Sequence, residues 1–281
     1  MLTRIISSAV GIVIAVVVLI LHDTFVLNLA IGAISAIMLY ELLNAVKCFK
    51  IYIISFPSMI YALALPFLVR TKYVFLATFV YVIFVFMGNI WYHKHIKSVK
   101  ALVMIACTLL VSNAMTTLVQ LYDYGELQMM LAEEGTGVLG LIYLIMGLCG
   151  AWIADSAAYF VGTFLGKNKL CPEISPKKTI EGFVGGILVT GLLFVLINFF
   201  CAKFLLDGRS VNYFAVCILG MLLAVVGTIG DLSASILKRQ CGIKDYGNIM
   251  PGHGGLMDRF DSVIFVAPFL YAFLTVFNIY K

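Results

Sequence analysis

Three aspartates and four cations lie close together in the last third of the chain, in a spacing that helix packing alone does not require. Asp231, Ser235 and Lys238 follow at i, i+4 and i+7, so a helix carries them on one stripe. Arg239, Lys244, five glycines (Gly242, Gly247, Gly252, Gly254 and Gly255), Pro251 and His253 come next, a loop whose backbone can approach a ligand closely. Asp258 and Asp261, at i and i+3 with Arg259 between them, present two carboxylates on one face at the start of another helix. Carboxylates gathered in this way repel one another, and a hard divalent cation reverses that. Mg²⁺ takes one or two protein carboxylates and leaves its other positions to water and phosphate oxygens. With basic side chains beside it to neutralise further phosphate charge, the pattern points to phosphoryl or nucleotidyl transfer. A structural network of ion pairs is the alternative.

Two further segments carry polar groups that a scaffold does not need. In AWIADSAAYFVG, Asp155 sits inside an apolar run, with Ser156 beside it and Tyr159 on the same helical face. It reads as a site carboxylate or as a structural, hydrogen-bonded one. In GKNKLCPEISPKKTIEGFVGG, Pro172 and Pro176 stiffen an apparent loop. Ser175, Lys177 and Lys178 precede Thr179, which can cap the following helix, and Glu181 follows. Cations beside the free N–H groups of a helix start suit phosphate, although lysines are common in inner loops of membrane proteins for other reasons.

The elements that must position these groups are membrane helices. The 281 residues are 63% hydrophobic and 12% charged, with mean hydropathy +1.07, against about 25% charged in soluble domains. The expected fold is all-α, a polytopic integral membrane protein with about nine transmembrane helices near 5–21, 26–45, 51–69, 73–91, 99–121, 137–165, 181–206, 211–237 and 260–280. The sixth and eighth look long enough to extend beyond the hydrocarbon. The first reads as an uncleaved helix, since no small-x-small cleavage site follows it. Most Lys and Arg, Arg4, Lys94 and Lys178 among them, fall in loops on one side, while Arg70, Lys72, Lys203, Arg209 and Lys281 fall on the other. That asymmetry places the N-terminus in the cytoplasm and the C-terminus outside, with the loop around Asp123, Glu126, Glu133 and Glu134 also outside.

Residues 1–125 read as scaffold helices and 126–281 as a catalytic region facing the cytoplasm. Glu41, near the end of the second helix, is expected to snorkel to the surface. His93 and His95 in WYHKH read as a solvated interfacial loop. The seven cysteines are scattered singly, which argues for small apolar side chains and against a disulfide framework or a metal-ligand set. The net charge of +5 is spread over short loops with no basic face, so nucleic acid is not an expected partner.

The runs Ser235-x-x-Lys238-Arg239-x4-Lys244-Asp245 and Pro251-x-His253-Gly254-Gly255-x-x-Asp258-Arg259-x-Asp261 closely resemble the signature of the phosphatidate cytidylyltransferases, also called CDP-diacylglycerol synthases. Gly230-Asp231-Leu232 and the region from Asp155 to Gly186, including Ser175-Pro176-x-Lys178-Thr179-x-Glu181-Gly182, look like further segments of that family. The resemblance covers roughly the last 130 residues; the N-terminal half matches in hydrophobic character only. It implies the reaction of CTP with phosphatidate to give CDP-diacylglycerol and pyrophosphate, in phospholipid biosynthesis, at the cytoplasmic face of the inner (plasma) membrane. It also implies Mg²⁺, with more than one divalent or mixed metal site, and a homodimer.

On that resemblance Asp231, Asp258 and Asp261 form the metal set, and Lys238 and His253 join them as catalytic residues. Ser175, Lys178, Arg239, Lys244, Arg259 and Asp155 become the substrate contacts. From the residues alone an ion-coupled transporter remains the other reading, but that would spread charge through several spans. A CDP-alcohol phosphotransferase would carry an Asp-Gly opening and an Ala-Arg pair in a spaced aspartate motif, which is absent.

Overall fold

The computed structural model describes residues 2–22, 25–132, 138–252 and 254–280. Among them the chain forms ten helices: α1 (Leu2–Ile20), α2 (Phe25–Ala45), α3 (Tyr52–Leu68), α4 (Val74–Trp91), α5 (Ser98–Leu131), α6 (Val138–Leu165), α7 (Ile180–Phe204), α8 (Tyr213–Gln240), α9 (Met257–Phe260) and α10 (Val263–Val276). Among the described residues the one pair of strands is an antiparallel hairpin, β1 (Lys169–Cys171) and β2 (Ser175–Thr179), where the sequence reads as an irregular loop. Seven of the described helical stretches are long and apolar enough to cross a membrane, whereas the apolar parts of α1 and α3 are shorter. This is a multi-pass membrane protein. The outward faces of α4 and α7 are apolar, with Phe75, Phe79, Leu188 and Leu192 all exposed, as lipid-facing helices require.

Two expected boundaries move. The fifth helix does not end at 121 but runs on through Asp123 and Glu126 to Leu131; its 34 residues span about 51 Å at 1.5 Å per residue. Close packing explains the extension, because a Cβ added at Gly125 would lie 2.5 Å from Gly140 Cα on α6. Glu133 and Glu134 lie outside the described residues. The expected ninth span, 260–280, is interrupted: α9 ends at Phe260, Asp261 and Ser262 make a turn, and α10 stops at Val276.

By packing the chain separates into two units, Met1–Val119 with Gln240–Phe260, and Gln120–Arg239 with Asp261–Lys281. Residues 240–260 pack with the N-terminal helices. In the first unit α2, α3 and α4 pack in succession around Leu39, Leu43, Ile54, Leu65 and Val85. Gly32 sits against the α3 backbone, where an added Cβ would lie 2.6 Å from Leu63 O. Tyr61 and Tyr81 stack at 4.8 Å and bond Thr78 Oγ1 and Ser58 Oγ, so these hydroxyls between α3 and α4 are paired. His93 and His95 are exposed, and all seven cysteines are free.

In the second unit α6 and α7 form the largest helix pair, with α10 against α6. Away from the polar cluster described below, Tyr280 OH bonds Asn198 Oδ1, and Asn212 N donates to Ile279 O at 2.9 Å, holding the C-terminal segment to the start of α8.

Candidate active site

Small residues decide where the polar side chains of the second unit meet. Ala158 and Gly162 on α6 face Gly182 and Gly186 on α7. A Cβ at Gly182 would lie 2.7 Å from Ala158 O and 2.9 Å from Gly162 Cα, and one at Gly186 only 2.8 Å from Ala158 Cβ. With no room for side chains between them, the two helices approach backbone to backbone. Thr179 caps α7 as its position predicts, its Oγ1 accepting from Gly182 N at 3.1 Å. Glu181, in the first turn, accepts from Lys167 N and Asn168 N at 3.1 Å and from Asn168 Nδ2 at 2.7 Å. Those bonds fasten the approach to the hairpin onto the start of α7.

Lys178 is thereby carried on β2 to the carboxylates of α6 and α8. Its Nζ stands 2.5 Å from Asp231 Oδ2 and 3.9 Å from Asp155 Oδ1. Gly230 does for α8 what Gly182 does for α7: an added Cβ there would lie 3.0 Å from Asp261 O and 3.1 Å from Ser262 Cα. The chain at the turn before α10 thus runs directly over α8, next to Asp231. Asp261 is buried, its Oδ1 accepting from Ser262 N at 2.8 Å and its Oδ2 lying 3.8 Å from Lys238 Nζ. Ser262 Oγ reaches Asp155 Oδ2 and Asp261 Oδ1, both at 3.5 Å, and Ser235 Oγ is 3.5 Å from Asp231 Oδ1.

The structure therefore brings together Asp155, Asp231, Asp261, Lys178 and Lys238, with Ser235 and Ser262 between them. The stripe of Asp231, Ser235 and Lys238 read from helical period is real. Carboxylates outnumber ammonium groups in this cluster, and Asp261 lies within electrostatic reach of both Asp231 and Asp155. It is a polar, partly exposed set of oxygen donors and fixed cations in an otherwise apolar bundle, an arrangement that attracts cations to the oxygens and phosphates to the lysines. Among the described residues no three His, Cys, Asp or Glu side chains gather as a ready metal cage. One or two carboxylates at a time are available, which suits a hard cation that completes its shell with water or phosphate.

The remaining sequence candidates are distributed differently. Ser175 opens β2 opposite Cys171, and Arg239 is exposed in the last turn of α8. Lys244, Asp258 and Arg259 belong to the first unit, where Lys244 and Arg259 are exposed. Asp258 lies in α9, which ends at Phe260, and Asp261 lies in the turn that follows. Asp258 Oδ2 instead turns back to accept from Tyr246 N at 2.8 Å and Gly255 N at 3.1 Å, organising its own loop. His253 lies outside the described residues.

Glu41 does not snorkel. It is 1% exposed, and its Oε2 accepts from Met257 N at 2.8 Å. The reason is that the 240–260 loop covers the end of α2, leaving no path from that carboxylate to water. Ser262, another contact not foreseen, follows Asp261 directly, but only the turn before α10 aims it at Asp155.

The model of the cytidylyltransferase family matches residues 2–277. The chain is 36% identical over 259 residues to the phosphatidate cytidylyltransferase of Bacillus subtilis (strain 168), covering 89% of each chain. It is 43% identical over 131 residues to the protein of that name from Staphylococcus haemolyticus (strain JCSC1435), 47% of this chain and 48% of that one. It is 44% identical over 129 residues to the one from Aquifex aeolicus (strain VF5), 46% of each.

Proposed function

Because the chain belongs to the cytidylyltransferase family, we propose that it joins CTP and phosphatidate to give CDP-diacylglycerol and pyrophosphate by metal-assisted in-line transfer at the cytoplasmic face of the inner membrane. The observation that carries this reading is the cluster of Asp155, Asp231 and Asp261 with Lys178 and Lys238. A phosphate monoester is already substantially ionised near neutral pH, so its oxygen needs no strong base to attack the α-phosphorus of CTP. One P–O bond forms there as the bond from the α-phosphorus to the β-bridging oxygen breaks, and the electron pair leaves with pyrophosphate.

The task left to the protein is to bring two anions together. Lys178 and Lys238 supply fixed positive charge, with Arg239, Lys244 and Arg259 as further phosphate contacts, and Ser175 as a polar one. Asp231, Asp258 and Asp261 would hold Mg²⁺, with Asp155 as a further carboxylate. The ion's part is to neutralise phosphate charge and polarise the α-phosphoryl group. The oxygen-only donors and the two lysines already standing against them as cations fit that role. Further parts of the proposal are about nine spans with the N-terminus inside and the C-terminus outside, and a homodimer.

The test is pyrophosphate release from CTP by the purified protein. Release should require both phosphatidate and Mg²⁺, stop with EDTA and match CDP-diacylglycerol one for one. An ion-coupled transporter releases none. The approach of α8 to Asp261 gives a second expectation. Gly230→Val should cost about 1–3 kcal/mol by overpacking and about 10²-fold in turnover by displacing Asp261. Thermal melting and product formation on one preparation separate the two effects, and unchanged turnover would mean that this contact does not set the site.

A further inference from the structure

Glu41 sits in α2, among helices whose sequence reads as scaffold, yet its carboxylate is buried and occupied by the signature loop. Polar atoms are costly inside an apolar bundle and persist where partners hold them. Met257 N, at the first residue of α9, donates to Oε2 at 2.8 Å, and α9 packs on α2. Two glycines of the loop press on the same carboxylate. A Cβ at Gly255 would stand 2.5 Å from Oε2 and 2.7 Å from Oε1, and one at Gly247 would overlap Oε1. Three separated points of the loop therefore converge on one side chain.

The rest of the loop is braced around that contact. Asp258 ties Tyr246 N to Gly255 N, and Met250 N donates to Gly254 O at 3.0 Å. The loop leaves the end of α8 just after Lys238 and returns to Asp261, the two residues whose charged atoms lie 3.8 Å apart. Whatever fixes its path fixes Asp258, which stands inside it.

We infer that Glu41 is a positioning residue for the transferase site: its carboxylate seats the 240–260 loop and so sets the placement of Asp258, whose Oδ2 is held by Tyr246 N and Gly255 N of that loop. This rests on the proposed function for its consequence in turnover, but the seating itself is read separately. The two glycines are explained at the same time, since each makes room for that carboxylate.

The experiment combines turnover with limited trypsin digestion of the full-length protein in detergent, following cleavage after the exposed Lys244. Glu41→Ala should release the loop, giving at least about tenfold faster cleavage there and about 10²-fold lower kcat, the scale expected when a distant change misplaces reacting groups. Glu41→Gln keeps an oxygen for Met257 N and should restore kcat to within about tenfold of the wild type, as a bond to the same donor predicts. Gly255→Ala attacks the contact from the loop side and should reproduce Glu41→Ala; it decides the matter if Glu41→Ala does not fold. Wild-type cleavage in the folded variants overturns the seating, as does a loss of activity that only follows the folded fraction. Absence of pyrophosphate release from the wild type would refute the transferase reading, with the digestion still deciding the seating.

Discussion

Asp231→Asn is expected to lower kcat by about 10²–10³-fold, the usual loss when one preorganised charge is removed from a reacting site, while the helices remain assembled. Asp231 makes the shortest ion pair of the cluster: Lys178 Nζ stands at 2.5 Å, with Ser235 Oγ at 3.5 Å and Asp261 within electrostatic reach. Asn keeps the shape and removes the charge. The Lys178 and Asp231 side chains are 22% and 24% exposed, so water screens part of the loss. The stability cost should be about 1–3 kcal/mol, between surface and buried pairs. Radiolabelled CTP turnover and a melting curve measure both. Turnover within threefold of the wild type would remove Asp231 from the reaction; unfolding without it would make the Lys178 pair structural.

A second large effect is expected at Asp261, where Asn should abolish measurable turnover. That carboxylate is 7% exposed, with one oxygen on Ser262 N and the other facing Lys238 Nζ. If Lys238 and Asp261 act as one unit, Lys238→Met should cost about 10²-fold as well, and the double variant should be little worse than Asp261→Asn. Groups that work as a unit show such non-additivity. Losses that multiply would assign the two residues separate roles, and a freely active Asp261→Asn would overturn the metal proposal. Retained membrane insertion and an unchanged melting profile show that the loss is chemical.

Much of this was legible because it depends on local geometry. Thr179 before a glycine-containing apolar run is a cap wherever that run becomes a helix, and it caps α7. The 3.6-residue period alone put Asp231, Ser235 and Lys238 on one stripe. Apolar length identified a membrane protein, with seven of the described helical stretches long enough to cross, and the signature pointed to the family that the whole-chain match then showed. The errors fall where distant segments choose the outcome. The last helix is broken at 261–262, where the chain passes over Gly230. The segment 169–179 became a hairpin because its entrance is fastened to Glu181. Glu41 looked exposed because nothing near it in sequence announces the loop that covers it.

By itself, then, the sequence determined membrane character, which follows from composition, the family, through the resemblance of its signature, and the stripe of Asp231, Ser235 and Lys238, which follows from helical period. Tertiary structure decided which charges meet. Asp155, Lys178, Asp231, Lys238 and Asp261 are brought together because glycines let α6, α7, α8 and the turn at Asp261 approach at backbone distance. The same close approach, of Gly247 and Gly255 to Glu41, brings an acid of the second helix against the 240–260 loop. A glycine's value lies in what occupies the space beside it, and its neighbours in sequence do not specify that.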